Sequence, residues 1–253
     1  MPVPPVTAIE HYQALLATHY TWMSGDFTQK ADQQRALFTR LAIAPAATGQ
    51  AIDLGCGSGF QSVALAQLGF SVTAIDANAQ LLAELDQRAH GLNIQTVQHD
   101  LTDLANCAVL PAHADCIVCM GDTLSHLPSP TAVTGLILDA AHRLAPGGYL
   151  ILGFRDLSQP LHGLDRFIPI RSDDDRIMTC FLEYEIDTVI INDLIYVRHN
   201  QTWNLHKSAY RKLRLSTAWI RSELAKQGFD LRSEEQSMGM ITLLAQTAHE
   251  PRV

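Results

Sequence analysis

The stretch that decides the fold of this chain is AIDLGCGSGF, residues 51–60. Ile52 and Leu54 favour a buried strand, and the glycines after them allow positive φ and a close approach of the backbone to a ligand. A helical pattern begins after Gly59, so the free N–H groups of its first turn point at whatever lies over the glycines. The stretch predicts the first strand, turn and helix of an open α/β sheet, with a ligand beyond the carboxyl ends of the strands.

The glycine spacing distinguishes two kinds of ligand. A dinucleotide fingerprint has another glycine three places after Gly57, but Phe60 occupies that position. A diphosphate needs this glycine for close packing, whereas a sulfonium cofactor without phosphate does not. The turn at residues 53–59 resembles the first motif of the class I S-adenosylmethionine-dependent methyltransferases.

Two acids follow the turn at the ends of predicted strands. Asp76 ends a strand over residues 70–76, where an acid can accept hydrogen bonds from both ribose hydroxyls; a helix N-cap is its alternative role. Asp100 follows a strand over residues 93–98, and in the resembled family an acid there partners the adenine amino group. The resemblance implies a cofactor-binding set made of Tyr20, Asp53, Gly55, Cys56, Gly57, Asp76, Ala77, Asp100, Leu101 and Met120.

A second family motif strengthens the resemblance. LAPGG at residues 144–148 predicts a tight turn before a fifth strand at 149–154, and the two motifs together span about a hundred residues in the family's order. We expect a Rossmann-like, seven-stranded, mostly parallel sheet with helices on both faces, an N-terminal helical cap and an antiparallel β insertion after strand five. The expected single domain has units at 1–48 (cap), 49–155 (cofactor-binding half), 156–215 (insertion) and 216–253 (C-terminal helix and edge hairpin).

The cap and the insertion are predicted from periodicity. Residues 6–44 are predicted to be helical, with a break at 24–26. Tyr20 and Trp22 lie just before the break, and they either cover the cofactor, as in the resembled family, or pack between cap and sheet. Residues 157–175 predict an ordered loop. Three extended segments follow, near 176–187, 189–199 and 202–214, and they should form an antiparallel sheet that covers the pocket mouth or pairs subunits.

Candidates for catalysis and substrate binding follow strands four and five. His126 could serve as a general base or be a loop or cap residue. Arg155 could grip a carboxylate with two hydrogen bonds, as in the locally similar glycine N-methyltransferase branch, or form a surface ion pair. Tyr210 and Arg211 are further substrate candidates. Alternation places Tyr210 with Lys212 and Arg214 on one side of their strand and Arg211 on the other, and a solvated basic face is the alternative.

Composition limits the partners. A net charge of −8 argues against nucleic acid, and without a run of eighteen apolar residues or a leader-like start we expect no membrane and a cytoplasmic location. The five cysteines, including Cys116 and Cys119, are expected to be buried thiols, and we expect no metal. A small-molecule acceptor is expected, and a homodimer stays open.

Three functions are compatible with these patterns. The favoured one is an S-adenosylmethionine-dependent methyltransferase that acts on nitrogen or oxygen of a small molecule, including one bearing a carboxylate. The alternatives are a non-catalytic S-adenosylmethionine-binding protein and a nicotinamide-dependent oxidoreductase, which shares the order of strand, glycine turn, helix and acid. Phe60 counts against the last of these.

Overall fold

A computed structural model describes residues 5–248, so the first four residues of the predicted cap and the last five of the C-terminal unit lie outside the description. The helices are α1 (Ala8–His11), α2 (Ala17–Ser24), α3 (Phe27–Arg40), α4 (Phe60–Gln67), α5 (Ala79–Arg88), α6 (Pro130–Arg143) and α7 (Thr217–Lys226). The strands are β1 (Gln50–Leu54), β2 (Ser71–Asp76), β3 (Ile94–Gln98), β4 (Ala114–Cys119), β5 (Leu144–Phe154), β6 (Phe167–Ser172), β7 (Arg176–Tyr184), β8 (Thr188–His199), β9 (Thr202–Leu213), β10 (Phe229–Ser237) and β11 (Met240–Thr247). Within residues 5–248 no helix is long and apolar enough to cross a membrane.

The main sheet has seven strands in the order β10-β11-β5-β4-β1-β2-β3. Strands β1 to β5 pair in parallel, and β10 and β11 form an antiparallel hairpin at one edge. Ile52 and Leu54 of β1 pack into one apolar cluster, whereas Ala51 packs into another. Because side chains alternate along a strand, both faces of β1 are covered, as its apolar run predicts. The predicted fold class is confirmed.

The N-terminal segment is helical and breaks where the sequence predicts. The π-helical turn Tyr12–Leu16 joins α1 to α2, and Gly25, with φ of 107°, separates α2 from α3. Thr7 begins α1 with a capping box to Glu10, and Asp26 caps α3 by accepting a hydrogen bond from the backbone N–H of Gln29. Both caps satisfy N–H groups that a helix start leaves free.

A four-stranded antiparallel sheet, in the order β6-β7-β8-β9, forms the insertion. Three of its strands correspond to the predicted extended segments, but β6 lies in the part predicted as a loop. Strand β6 was not predicted because Pro169 argues against a strand: proline has no N–H to donate to a neighbouring strand and occurs in sheets only at edges and bulges. In the structure β6 is an edge strand, and its register shifts between Pro169 and Arg171.

Strand β5 also begins earlier than predicted, because the expected tight turn at residues 145–148 is part of the strand. Leu144 already pairs with Ala114 of β4, and the register then shifts before Cys116 pairs with Tyr149. A Cβ on Gly148 would lie 2.8 Å from the carbonyl oxygen of Ala145. The glycines therefore serve an irregular strand start rather than a turn.

Candidate active site

One pocket lies at the carboxyl ends of β1, β2 and β4, beneath the N-terminal helix. Eight of the predicted site residues line it, namely Tyr20, Gly55, Gly57, Asp76, Ala77, Asp100, Leu101 and His126. Residues that were not predicted also contribute, among them Tyr12 and Thr123. The structure thus brings together residues from the cap, the glycine turn and three strand ends.

The glycine turn is shaped by contacts that only glycine permits. Gly55 has φ of 72°, and a Cβ there would lie 2.4 Å from the side chain of Thr123. Gly57 has φ of 54°, and its Cβ would lie 2.9 Å from the ring of Tyr20. Left-handed φ is unfavourable for other residues, so the turn can lie close beneath a ligand only with glycine at both positions.

Asp76 connects β2 to the glycine turn. Its Oδ2 accepts a hydrogen bond from the N–H of Gly57 at 2.8 Å, and its Oδ1 accepts one from the N–H of Asn78 at 2.8 Å. Burial raises the pKa of the Asp76 carboxyl although these bonds oppose the rise. Helix α5 is capped by Asn78, whose Oδ1 accepts from the N–H of Leu81. The N-cap role considered for Asp76 therefore belongs to Asn78.

Asp100 lies at the end of β3, where it begins the 3-10 turn Leu101–Asn106. Its Oδ1 accepts hydrogen bonds from the N–H and the hydroxyl of Thr102, each at 2.8 Å. Since Asp100 also lines the pocket, its second carboxylate oxygen can face a ligand.

Three predicted cofactor residues lie behind the pocket wall. Asp53 is 1% exposed, and its Oδ2 accepts a hydrogen bond from the hydroxyl of Ser62 at 2.6 Å. Burial raises the pKa of Asp53 to about 7, against the effect of the Ser62 bond. Cys56 packs in an apolar cluster with Val63, and Met120 is buried in the cluster that contains Ala51. These side chains support the turn from behind.

The two aromatic residues of the cap have different positions. Tyr20 lines the pocket, and burial raises the pKa of its hydroxyl. Trp22 instead contacts the insertion: its Nε1 donates to Oδ2 of Asp173 at 2.5 Å, and the Arg176 guanidinium lies 4.4 Å from its ring centroid. Tyr20 therefore covers the glycine turn, and Trp22 holds the cap against the insertion.

His126 ends the 3-10 turn Thr123–His126 and faces the pocket between two tyrosines. Its ring centroid lies 5.6 Å from that of Tyr12 and 5.5 Å from that of Tyr210. Nε2 is buried and has no hydrogen-bond partner in the part of the chain that the structure describes. Burial, assisted by the charge of Lys212, lowers the pKa of His126 to about 3. The imidazole is therefore neutral near pH 7, the form in which a histidine acts as a base, although the low pKa makes it a weak one.

A buried ion pair lies beside His126 and joins the insertion to the core. Asp122, in a left-handed conformation with φ of 76°, accepts a hydrogen bond from Nζ of Lys212 at 2.5 Å and one from the N–H of Arg155 at 3.0 Å. Burial is the strongest single influence and would raise the pKa of Asp122, but the charge and hydrogen bond of Lys212, the neighbouring His126 and the N–H of Arg155 together lower the pKa. The Arg155 side chain is about half exposed, with Nη1 3.8 Å from Asp122.

Lys212 and Arg211 lie on opposite faces of β9. Tyr210 is 3% exposed and Lys212 points to the core beside it. Arg211 lies on the outer surface, where its Nε and Nη2 donate to Glu185 at 2.8 and 2.9 Å. Arg211 is thus corrected from a substrate candidate to a surface ion pair, since strand alternation sends it away from Tyr210. The same alternation was the signal that could have identified Lys212.

A second buried pair was also missed. Nε2 of His11, on α1, lies 2.9 Å from Oδ2 of Asp193 on β8, and the two residues are 0% and 3% exposed. The His11 ring stacks on Tyr210 with centroids 4.2 Å apart. The pair therefore supports the tyrosine that contacts His126, and no local sequence pattern relates residues 182 positions apart.

The fold and the site together define an α/β domain with a pocket at the carboxyl edge of its sheet, where open α/β folds bind nucleotide-like ligands. Residues 51–148 match a protein-family model described as "Methyltransferase domain". The chain is 39% identical over 116 residues to a ubiquinone biosynthesis O-methyltransferase of Xanthomonas euvesicatoria pv. vesicatoria (strain 85-10), a match that covers 45% of each chain. The chain thus matches less than half the length of this curated relative.

Solved structures share the fold over nearly the whole chain. An S-adenosylmethionine-dependent methyltransferase from Clostridium acetobutylicum ATCC 824 has a TM-score of 0.73 at 17% identity and covers 94% of this chain and 99% of its own. An amino pentose methyltransferase from Micromonospora echinaspora, solved with S-adenosylmethionine bound, has a TM-score of 0.68 at 15% identity over 92% and 97%. The match of residues 51–148 to a methyltransferase domain and the fold shared with these structures agree with the resemblance predicted from the glycine turn.

Proposed function

We propose that this protein transfers a methyl group from S-adenosylmethionine to nitrogen or oxygen of a small molecule. The observation that carries the proposal is the single pocket in which the glycine turn, Asp76, Asp100 and His126 meet. Similarity to an O-methyltransferase and to an amino sugar methyltransferase keeps both acceptor atoms in the proposal.

The residues of the pocket fit the proposed cofactor. Gly55 and Gly57 would let its amino acid part lie against the backbone. Asp76 would accept hydrogen bonds from the ribose hydroxyls, and Asp100 would accept one from the adenine amino group, since carboxylate oxygens accept what these groups donate. Tyr20 would cover the cofactor from the side of the cap. When bound, the cofactor supplies an electrophilic methyl group on a sulfonium.

The acceptor side is formed by His126 and its neighbours. Methyl transfer is an in-line displacement, so these residues mainly hold the nucleophile close to the methyl group and in line with it. Neutral His126 would take the proton that the acceptor loses, at its unpartnered Nε2. Arg155, held by its backbone N–H to Asp122, would bind a carboxylate of the acceptor.

Calorimetric titration with S-adenosylmethionine, S-adenosylhomocysteine and NAD tests the cofactor assignment. We expect both sulfur nucleotides to bind, NAD not to bind, and Asp76→Ala to weaken binding by about 1–3 kcal/mol through loss of a charged hydrogen-bond partner. Asp103→Ala is the matched control, because Asp103 bonds to Asn106 and does not line the pocket. Binding of NAD alone would favour the oxidoreductase alternative.

Turnover separates an enzyme from a binding protein. S-adenosylhomocysteine formation would be followed with a panel of small amines, phenols and hydroxy acids. We expect His126→Ala to lower kcat by roughly 10²–10⁴-fold for a hydroxyl acceptor, the usual contribution of a general base, and to leave cofactor affinity unchanged. Cofactor binding without turnover of any acceptor would support the non-catalytic alternative.

The unit boundaries, partners and location belong to the same proposal. We propose one domain in which residues 49–155 bind the cofactor while 1–48 and 156–215 cover it and the acceptor. The net charge of −8 argues against nucleic acid as a substrate, and a homodimer is compatible with the exposed strands of the insertion. Five buried free thiols support a reducing, cytoplasmic environment.

A further inference from the structure

A second pocket lies on the insertion side of the molecule, separate from the candidate cofactor pocket. It has a volume of about 240 Å³ and is lined by Pro160, Leu161, His162, Gly163, Arg166 and Tyr184. Its lining thus combines a proline, a leucine and a tyrosine with an arginine and a histidine. Within the described part of the chain, no carboxylate belongs to its lining.

Arg166 presents a cation to this pocket without an acidic partner. Its Nε donates to the carbonyl oxygen of Gly163 at 3.3 Å, and its guanidinium lies 4.8 Å from the ring centroid of Phe181. No carboxylate of residues 5–248 lies within 4 Å of it, and the nearby Glu185 is bound by Arg211. The planar end of Arg166 is therefore available for an oxyanion, which guanidinium can bind with two hydrogen bonds.

Arg214 holds the wall of the pocket in place. Its guanidinium donates to four backbone carbonyl groups, those of Leu157, Ser158, Glu185 and Ile186. These bonds connect the loop that leads to Pro160 with the turn after Tyr184. Carbonyl oxygens carry only partial charges and do not neutralise Arg214, so a second positive charge lies near Tyr184, one of the lining residues.

Strand β9 connects this pocket to the proposed methyl-transfer site. Tyr210 and Lys212 lie on one side of β9, and Arg214 follows directly after its last residue, Leu213. The Tyr210 ring contacts His126 at 5.5 Å, and the Arg214 guanidinium lies 5.4 Å from the ring of Tyr184. Four residues of extended chain span roughly 13 Å, so this row of side chains runs from the neighbour of His126 to the neighbour of Tyr184.

We propose that the second pocket binds an oxyanionic group of the methyl acceptor, a phosphate or a carboxylate carried on an apolar or aromatic body. The nucleophile of the same acceptor would then lie near His126, at the other end of the row formed by Tyr210, Lys212 and Arg214. The acceptor would be an elongated molecule with its reactive atom and its anion at opposite ends. This inference rests on the proposed methyltransferase function for the role of the ligand, but binding to the pocket can be measured without turnover.

Calorimetric titration of the whole chain with phenyl phosphate, benzoate and neutral benzamide tests the proposal. At saturating S-adenosylhomocysteine, we expect one of the anions to bind at least about tenfold more tightly than benzamide, as a charged hydrogen bond predicts. The tighter anion identifies phosphate or carboxylate as the group recognised. Equal binding of benzamide, or no binding of either anion, overturns the proposal.

Variants locate the binding. Arg166→Gln should weaken it by about tenfold or more, and His162→Ala, on an exposed loop, by a smaller factor. Arg171→Gln is the matched control, because Arg171 lies on neighbouring β6, stacks on an aromatic ring at 5.8 Å and likewise has no carboxylate within 4 Å among the described residues. An equal loss in Arg171→Gln, or none in either pocket variant, shows general attraction to positive charge and refutes the site. Cofactor titrations of the same samples decide the methyltransferase assignment separately.

Discussion

The buried polar side chains of residues 51–148 and of residues 156–215 differ in how far along the sequence their hydrogen-bond partners lie. In the first region the two acids beside the glycine turn have partners near in sequence: Asp53 bonds to Ser62, nine residues away, and Asp76 to Gly57, nineteen away. In the insertion the partners are remote: Lys212 meets Asp122, ninety residues away, and Asp193 meets His11. The cofactor side of the site is thus assembled locally, and the acceptor side exists only when the insertion and the cap lie against the core.

The largest effect should come from breaking the contact between the two regions. Lys212→Met leaves the carboxylate of Asp122 buried without its cation, so we expect a loss of about 3–5 kcal/mol in the free energy of unfolding, measured in urea. Lys207→Met, at an exposed position of the same strand, is the control and should change it by at most about 0.5 kcal/mol. Adding Asp122→Asn to Lys212→Met should recover part of the loss. Equal stabilities of the two lysine variants would contradict this account of the insertion.

A change within the cofactor half should act locally. Gly57→Ala places a methyl group against the Tyr20 ring, so we expect cofactor affinity to fall by about tenfold or more and stability by about 1–2 kcal/mol from the left-handed backbone. Gly49→Ala has a similar φ of 66° but meets nothing within 4 Å. Gly49→Ala should lower stability but leave cofactor affinity unchanged. An equal loss of cofactor affinity in both variants would show that backbone strain, and not the contact with Tyr20, causes the loss.

The buried acid of β1 predicts a pH dependence. Because the pKa of Asp53 is raised to about 7 in the folded chain, its protonated form stabilises the fold below pH ~4, and this contribution is lost as pH rises to about 7. Asp53→Asn should therefore reduce the fall in Tm between pH 5 and pH 8. Each kcal/mol of the lost stability contribution should correspond to roughly 2–4 °C in Tm. Asp115 should act in the opposite direction: burial raises its pKa, but hydrogen bonds from the N–H groups of Ala46, Thr48 and Gly49 outweigh this and lower it. An unchanged melting profile in Asp53→Asn excludes this role.

The smallest effect is expected at the outer surface of the insertion. Arg211→Gln removes an exposed ion pair with Glu185, which contributes about 0–1 kcal/mol. Cofactor affinity and turnover should be unchanged, because the side chain points away from Tyr210. A drop in turnover would restore Arg211 as a substrate residue and break the assignment of the two faces of β9.

The same contrast explains what the sequence could predict. The positions of Gly55, Gly57, Asp76 and Asp100 follow from strand ends and turn chemistry, which act over a few residues, and the order of the seven strands follows from the family. The register of β9 predicted which residues share a face but not which face is buried. Which face of β9 is buried depends on contacts with Asp122 and His11, and no local pattern connects these residues to the insertion. Strand β6 was not predicted because Pro169 is atypical of a strand.

The wide turn at Tyr12–Leu16 has a consequence for how the cap tolerates changes in length. Tyr12 and Tyr20 both line the pocket although they are eight residues apart, and eight residues of an ordinary α-helix make about 2.2 turns, an offset of roughly 80°. The π-helical turn, closed from the Ala17 N–H to the Tyr12 carbonyl oxygen, uses an extra residue and absorbs that offset. Seven residues of regular helix would bring the two rings to nearly the same side. The cap therefore contains one surplus residue, and losing it from the turn would make the helix regular while both tyrosines still faced inward.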